Sequence, residues 1–92
     1  MQFEWDEVKN QINVEKHGIH FMDAKEIFQS SVYEFLSGQW HGESRILAVG
    51  LLKDVEITVI YTMRGDRVRI ISARVARKNE RKKYWENIEE CD

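Results

Sequence analysis

The stretch Tyr61–Tyr84 reads Y-T-M-R-G-D-R-V-R-I-I-S-A-R-V-A-R-K-N-E-R-K-K-Y. Its pattern predicts the end of a strand, a tight turn at Met63–Asp66, a second strand over Arg67–Ala73, and then a helix. Between Arg64 and Lys83 there are six Arg and three Lys but only two acids, a local balance of +7 in a chain of net charge −2. A basic block of this kind predicts a surface that binds an anionic partner.

The composition is that of a small globular protein. Its 92 residues, 42% hydrophobic and 33% charged, predict one domain over residues 1–92 with one modest core. The start M-Q-F-E-W-D-E lacks the basic and apolar segments of a signal peptide, and no apolar run is long enough to span a bilayer. The single cysteine, Cys91, leaves no internal disulfide and no cysteine-based metal site. We therefore expect a cytoplasmic protein without a membrane partner.

An edge strand and a first helix are predicted from the opening residues. Phe3 and Trp5 flank a charged residue, an alternation that is typical of a short edge strand. Asp6 is a good N-cap for a helix over roughly Glu7–Lys16. Gly18 is suited to the left-handed position that ends such a helix.

A second helix is predicted around Met22–Gln29, and strands follow it. Val32–Leu36 alternates like a strand, whereas Ser37–Glu43 contains two glycines and is predicted to be a loop. Three strands with short links come next, Arg45–Leu52, Val55–Thr62 and Arg67–Ala73, which predicts an antiparallel meander. From about Arg74 to about Glu89 the period is helical. The predicted fold class is α+β: a small antiparallel sheet of three to four strands plus the N-terminal edge strand, packed with two N-terminal helices and a C-terminal helix.

Arginines in and before the last strand are candidate anion ligands. Alternation puts Arg67 and Arg69 on one face, with Arg64 in the preceding turn. The planar guanidinium fork binds phosphate oxygens in pairs and stays charged. The alternative is that Arg67 and Arg69 are solvated and pair with Glu56 across the hairpin. Simple alternation puts Arg74 opposite Arg69, unless a bulge or the start of the helix turns it.

The predicted C-terminal helix supplies further candidates. Arg77, Lys78 and Arg81 crowd its first half, where the helix dipole favours acids. Glu80 is an acid–base candidate whose pKa would respond to the surrounding cations, and Tyr84 could stack on a base. The alternatives are that Glu80 only forms salt bridges at helical spacing, and that Tyr84 packs on the core.

His41 is the remaining acid–base candidate. It lies in the Gly-flanked segment before a strand, and an unperturbed histidine has a pKa close to neutrality. The three histidines do not form the pattern of a three-histidine metal site, and there is no Gly-rich phosphate loop or Ser-His-Asp order. The sequence therefore predicts no metal site and no cofactor.

Several motifs together resemble the BrnT toxin family. They are F-E-W-D (Phe3–Asp6), N-x-x-K-H-G (Asn13–Gly18), F-x-x-A-x-x-I-F (Phe21–Phe28), Y-T-M-R-G (Tyr61–Gly65), and R-I-I-S-A-R with E-R-x-x-Y after it (Arg69–Arg74, Glu80–Tyr84). The resemblance implies a RelE-like fold and a ribonuclease toxin of a type II toxin–antitoxin system. It also implies that the toxin halts translation until a DNA-binding antitoxin, BrnA, sequesters it, and that the complex represses its own operon.

The candidate residues then divide by expected role. In a metal-independent endoribonuclease, a base deprotonates a ribose 2′-hydroxyl that attacks the adjacent phosphate, arginines stabilise the developing charge, and an acid protonates the leaving oxygen. The residues expected to act in catalysis are Arg64, Arg69, Arg74, Glu80 and His41. Those expected to bind RNA are Arg67, Arg77, Lys78, Arg81 and Tyr84. The alternative is a non-catalytic module whose basic face docks RNA or an acidic protein without cleaving it.

Overall fold

The computed structural model describes residues 1–40 and 42–88. Within these ranges a five-stranded sheet carries helices on both faces. The strands are β1 (Gln2–Glu4), β2 (Tyr33–Trp40), β3 (Glu43–Leu52), β4 (Val55–Arg64) and β5 (Arg67–Val75). The helices are α1 (Glu7–His17), α2 (Phe21–Ala24), a 3-10 helix (Lys25–Gln29) and α3 (Lys78–Ile88). No helix in the described ranges is long and apolar enough to cross a membrane.

The sheet has the order β1-β5-β4-β3-β2. Strands β2 to β5 form the predicted antiparallel meander, and the N-terminal strand lies at one edge as expected. The predicted α+β class is confirmed. The sheet is mixed, however, because β1 runs parallel to β5, with Gln2 opposite Arg67 and Glu4 opposite Arg69. More than sixty residues separate these partners, so no local pattern predicts their direction.

The main core lies between the sheet and the N-terminal helices. Phe21, Ala24 and Ile27, from α2 and the 3-10 helix, are fully buried. They pack against residues of β3, β4 and β5 that include Ala48, Ile57, Val59, Tyr61, Val68 and Ile70. A smaller core on the opposite face joins α3 to β2 and β3 through Tyr84, Ala76, Val49, Tyr33 and Phe35. The two faces of the sheet are therefore covered by different helices.

Several local signals act as predicted. The Asp6 side chain accepts a hydrogen bond from the backbone N–H of Val8 at 2.8 Å, which caps α1. Gly18 has φ 71°, the left-handed conformation that ends a helix. Lys53 and Asp54 join β3 to β4 with positive φ angles of 50° and 68°, as in a two-residue type I′ hairpin.

Helix α1 turns asparagines, not aliphatic residues, towards the sheet. Val8 and Ile12 stand one turn apart, yet they are 65% and 49% exposed. Asn13 is only 5% exposed. Its Nδ2 donates to the carbonyl of Ala73 at 2.9 Å, and its Oδ1 accepts from the N–H of the same residue at 3.1 Å. Asn13 therefore fastens α1 to β5 by satisfying backbone groups that would otherwise be buried without partners.

The predicted loop at Ser37–Glu43 is largely strand. Strand β2 continues to Trp40, and β3 already begins at Glu43. The β2–β3 register shifts between Leu36 and Gly38, so a β-bulge accommodates the first glycine inside the strand. Glycine in this stretch thus indicates a bulge rather than a loop. The predicted second helix is also modified, because it changes from α-helical to 3-10 geometry after Ala24.

The predicted start of the last helix is wrong by four residues. Helix α3 begins at Lys78, and Arg74 and Val75 still pair with β4. The β4–β5 register shifts by one residue at Ile71, which forms a second β-bulge. The strand therefore extends beyond the point where the sequence pattern becomes helical.

Candidate functional site

The bulge in β5 decides which face of the sheet Arg74 occupies. Thr62 of β4 opposes Arg69, and Thr58 opposes Arg74. Thr58 and Thr62 are four residues apart on β4, and the bulge adds no residue to that strand, so both side chains point to the same side of the sheet. Residues that oppose each other on antiparallel strands also point to the same side, so Arg74 and Arg69 share this face. The extra residue, Ile71, thus turns Arg74 to the face that carries Arg69, although simple alternation predicts the opposite face.

Three arginines lie on the part of this face that α3 leaves uncovered. Arg64 and Arg67 oppose each other beside the β4–β5 turn, and Arg69 follows on the same side. The side chains of Arg64 and Arg67 are 51% and 57% exposed, and that of Arg69 is 27% exposed. Helix α3 instead packs on β2 and β3. We call the surface formed by Arg64, Arg67, Arg69, Glu4 and Glu43 the open face.

Each arginine of the open face is paired with a carboxylate. Glu4 bridges two of them, with Oε2 at 2.9 Å from Arg69 and Oε1 at 3.4 Å from Arg67. Arg64 Nε lies 3.1 Å from Glu43 Oε2. The hydrogen bond from Arg69 lowers the pKa of Glu4, against a smaller raising effect of burial. Glu4 is therefore held in its ionised form between the guanidinium groups of Arg67 and Arg69.

These partners differ from the one that the sequence suggests. Glu56, the partner of Arg67 and Arg69 in the alternative interpretation, instead accepts a hydrogen bond from Trp85 Nε1 at 2.8 Å. Glu4 reaches the arginines only because β1 lies parallel beside β5, a long-range contact without a local signal. Sequence reasoning also missed Arg45. This residue is two positions after Glu43 on β3, so the two side chains lie on the same side of the sheet.

Glu80 is buried and links β4, β5 and α3. Arg74 donates to both of its carboxylate oxygens, at 2.8 Å and 2.9 Å. Oε1 also accepts from Thr58 Oγ1 at 2.9 Å and from the backbone N–H of Arg77 at 2.8 Å. Because Glu80 is the third residue of α3 and Arg77 precedes the first, the last contact is half of a capping box. The carboxylate thus starts the helix and attaches it to two strands.

The environment of Glu80 does not suit acid–base chemistry. Burial raises its pKa, but the hydrogen bonds from Arg74, Arg77 and Thr58 outweigh this effect and lower the pKa to about 2. A general acid or base works best when its pKa lies near the operating pH. Only 4% of Glu80 is exposed. These contacts argue against the predicted acid–base role. They indicate that Glu80 and Arg74 hold α3 against β4 and β5.

The low pKa of Glu80 predicts a fold that weakens in acid. The ordinary value for this carboxyl is 4.5, so the unfolded chain takes up the proton first as the pH falls. The stabilisation is complete above pH 4.5 and is lost as the pH falls from about 4.5 to about 2. We expect Glu80→Gln to lower the free energy of unfolding at neutral pH and to flatten its dependence on pH in this range. Urea unfolding at several pH values measures both effects, and parallel pH profiles for wild type and variant would contradict the account.

Tyr84 is a core residue, and its predicted role in stacking on RNA is wrong. The residue is 3% exposed and packs with Val49 and Ala76. Its ring meets that of Trp85 edge to face, with centroids 4.9 Å apart. Burial raises the pKa of the Tyr84 hydroxyl, and the charge of Glu56 adds to this. A ring enclosed in this way presents no free surface to a base.

The other basic candidates lie at the far end of β5. Arg77 and Lys78 are exposed at the start of α3, and Arg81 donates to the carbonyl of Ala76 at 2.7 Å. Arg74 lies five positions after Arg69 on β5, a distance of about 15 Å. The predicted basic block is therefore divided into the open face, the buried Arg74–Glu80 pair and the exposed start of α3.

His41 lies outside the described residues, and its role stays a prediction. Glu43, two residues further along the chain, begins β3 and belongs to the open face. Among residues 1–40 and 42–88, no group of three or more His, Cys, Asp or Glu side chains is arranged to hold a metal ion.

Comparisons with known proteins agree with this architecture. A family model described as "Ribonuclease toxin, BrnT, of type II toxin-antitoxin system" matches residues 5–80, from the end of β1 to the first turn of α3. The crystal structure of the Brucella abortus ribonuclease toxin, BrnT, superposes with a TM-score of 0.63 and 29% sequence identity, covering 85% of this chain and 99% of that chain. No curated protein matches in the sequence comparison. Since the family model spans most of the 92 residues, the chain belongs to the BrnT family of ribonuclease toxins of type II toxin–antitoxin systems.

Proposed function

We propose that this chain is a metal-independent endoribonuclease that cuts RNA on its open face and thereby inhibits translation. The observation that carries the proposal is the group of three guanidinium side chains, those of Arg64, Arg67 and Arg69, on a sheet surface that α3 leaves uncovered. Guanidinium groups bind phosphate oxygens in pairs and remain charged at any physiological pH. Membership of a ribonuclease toxin family supports RNA as the ligand.

Binding begins with the RNA backbone. The arginines of the open face replace counterions at successive phosphates, so affinity falls steeply as the salt concentration rises. Arg77 and Lys78, at the start of α3, extend the positive surface beyond the open face. An RNA strand that follows β5 from the open face would lead towards this second region.

The proposed reaction is a transesterification. A base removes the proton from a ribose 2′-hydroxyl, and that oxygen bonds to the adjacent phosphorus. The bond from phosphorus to the 5′-oxygen breaks as an acid protonates the leaving oxygen. The products are a 2′,3′-cyclic phosphate and a 5′-hydroxyl. Arg69 and Arg64 stabilise the extra charge on the phosphate oxygens in the transition state.

His41 remains our candidate for acid–base chemistry, because its ordinary pKa lies close to neutrality. Glu80 and Arg74 support the site indirectly, since their bidentate pair joins α3 to the strand that carries Arg69. Mutation of either residue is then expected to act through folding rather than through the chemical step.

The proposed partners follow from the type II system. A BrnA-like antitoxin would neutralise the toxin, and operator DNA would be contacted only through the complex of the two proteins. The proposed place of action is the cytoplasm, where messenger RNA is translated. The family description supports an antitoxin partner and an RNA substrate.

The proposal is tested by incubating purified protein with RNA in excess EDTA. We expect cleavage to continue and the fragments to carry 2′,3′-cyclic phosphate ends, which mass spectrometry identifies. Loss of cleavage in EDTA, with recovery when magnesium is added, would contradict the metal-independent mechanism. RNA that stays intact while it is demonstrably bound would instead support a binding module without catalysis.

A further inference from the structure

The position of Glu4 suggests a site within the open face. The parallel register of β1 puts Glu4 opposite Arg69. One carboxylate oxygen then lies 2.9 Å from the Arg69 guanidinium, and the other lies 3.4 Å from that of Arg67. A single carboxylate therefore spans two arginines that neighbour each other on one strand face.

This arrangement matches what a phosphodiester requires. A phosphate group also presents two anionic oxygens, and it binds guanidinium groups by the same charge-assisted hydrogen bonds. The Glu4 side chain is 25% exposed and that of Arg67 is 57% exposed, so solvent reaches the pair. An ion pair with a partner as exposed as Arg67 contributes little to stability, so another anion can replace Glu4 there at little cost. Glu4 is thus held well enough to occupy the site but not so tightly that a stronger anion is excluded.

We propose that Arg67 and Arg69 form a phosphate subsite for RNA, and that Glu4 occupies this subsite in the free protein until an RNA phosphodiester displaces it. The inference rests on the proposed function only in requiring RNA to bind to the open face. Glu4 takes no part in bond breaking. It lowers affinity for polyanions by direct competition, which restricts binding to ligands that engage several arginines at once.

The competing view is that Glu4 orients Arg69 for binding, as a fixed part of the site. The two views predict opposite signs. If Glu4 competes with phosphate, its neutralisation tightens RNA binding; if it orients Arg69, its neutralisation weakens binding. The sign of the change therefore decides between them.

The test uses Glu4→Gln and a short 2′-O-methyl RNA labelled for fluorescence anisotropy, which the proposed 2′-hydroxyl chemistry cannot cleave. We expect Glu4→Gln to bind roughly twofold to fivefold more tightly than wild type at low salt. Glu26→Gln is the matched control, because it removes one negative charge from an exposed residue of the 3-10 helix on the other face of the sheet. Its effect gives the contribution of net charge alone.

The gain should depend on the arginines that Glu4 occupies. In an Arg69→Ala background, Glu4→Gln should give a smaller gain than in the wild-type protein. Binding by Glu4→Gln that is weaker than that of wild type, or improved no more than by Glu26→Gln, would overturn the inference. Because the probe cannot be cleaved, these results are independent of catalysis: tighter binding without RNA cleavage would support the subsite while contradicting the proposed nuclease activity.

Discussion

Arg69→Ala is expected to slow RNA cleavage about 100- to 1,000-fold, the range found when one preorganised transition-state donor is removed. Arg69 is the least exposed of the three arginines of the open face, at 27%. A partly desolvated charge stabilises a developing negative charge more strongly than a fully solvated one. The loss should therefore appear in the chemical step and not only in binding.

Single-turnover cleavage at saturating protein concentration measures this step. Arg69→Lys keeps the charge but loses the planar fork, so we expect a rate between those of wild type and Arg69→Ala. Lys82→Ala, an exposed position of α3, removes one positive charge elsewhere and is the matched control. A rate for Arg69→Ala equal to that of the control would contradict the assignment of Arg69 to the transition state.

Arg74→Ala is expected to lower the free energy of unfolding by about 3–5 kcal/mol, the usual cost of removing one partner from a buried ion pair. Only 15% of the Arg74 side chain and 5% of the Glu80 side chain are exposed. The variant leaves the Glu80 carboxylate buried, with only the Thr58 hydroxyl and the Arg77 N–H as donors. The total free energy of unfolding of a small domain is only about 5–15 kcal/mol, so the variant should be close to unfolding.

Urea unfolding monitored by tryptophan fluorescence gives this value, with Arg67→Ala as the matched control on the same strand face. Arg67 is 57% exposed, and its longer contact to Glu4 should contribute little. An Arg74→Ala midpoint equal to that of Arg67→Ala would contradict a structural role for the pair. Cleavage by the folded fraction of Arg74→Ala is expected to continue. A fully folded variant that is inactive would restore Arg74 as a catalytic candidate.

The elements of the fold could largely be predicted from the sequence because their signals are local. Asp6 and Gly18 mark the ends of α1, and the short links of the meander determine the order of β3, β4 and β5. The boundaries that were mispredicted lie at the two bulges. After the extra residue at Ile71, β5 continues to Val75, although the helical period begins at about Arg74.

The candidate site was only partly predictable, because its ion pairs join residues that are far apart in the sequence. The charge of the basic block indicated an anion-binding surface. It could not distinguish Arg69, whose partner Glu4 is partly exposed, from Arg74, whose partner Glu80 is buried. The direction of β1, which brings Glu4 to Arg69, has no signature in the sequence. The role of Tyr84 was mispredicted because helical spacing shows which residues share a face of the helix. It does not show whether that face packs on the core or is open to solvent.

The central claim is that RNA binds to the open face, and not only to the basic start of α3. Its most direct test follows the arginine side-chain Nε–H signals by NMR during titration with a 2′-O-methyl RNA. We predict that the signals of Arg64, Arg67 and Arg69 shift together, whereas that of Arg74 stays in place because Glu80 holds its guanidinium. Shifts confined to Arg77 and Arg81, with the signal of Arg69 unchanged, would contradict the account.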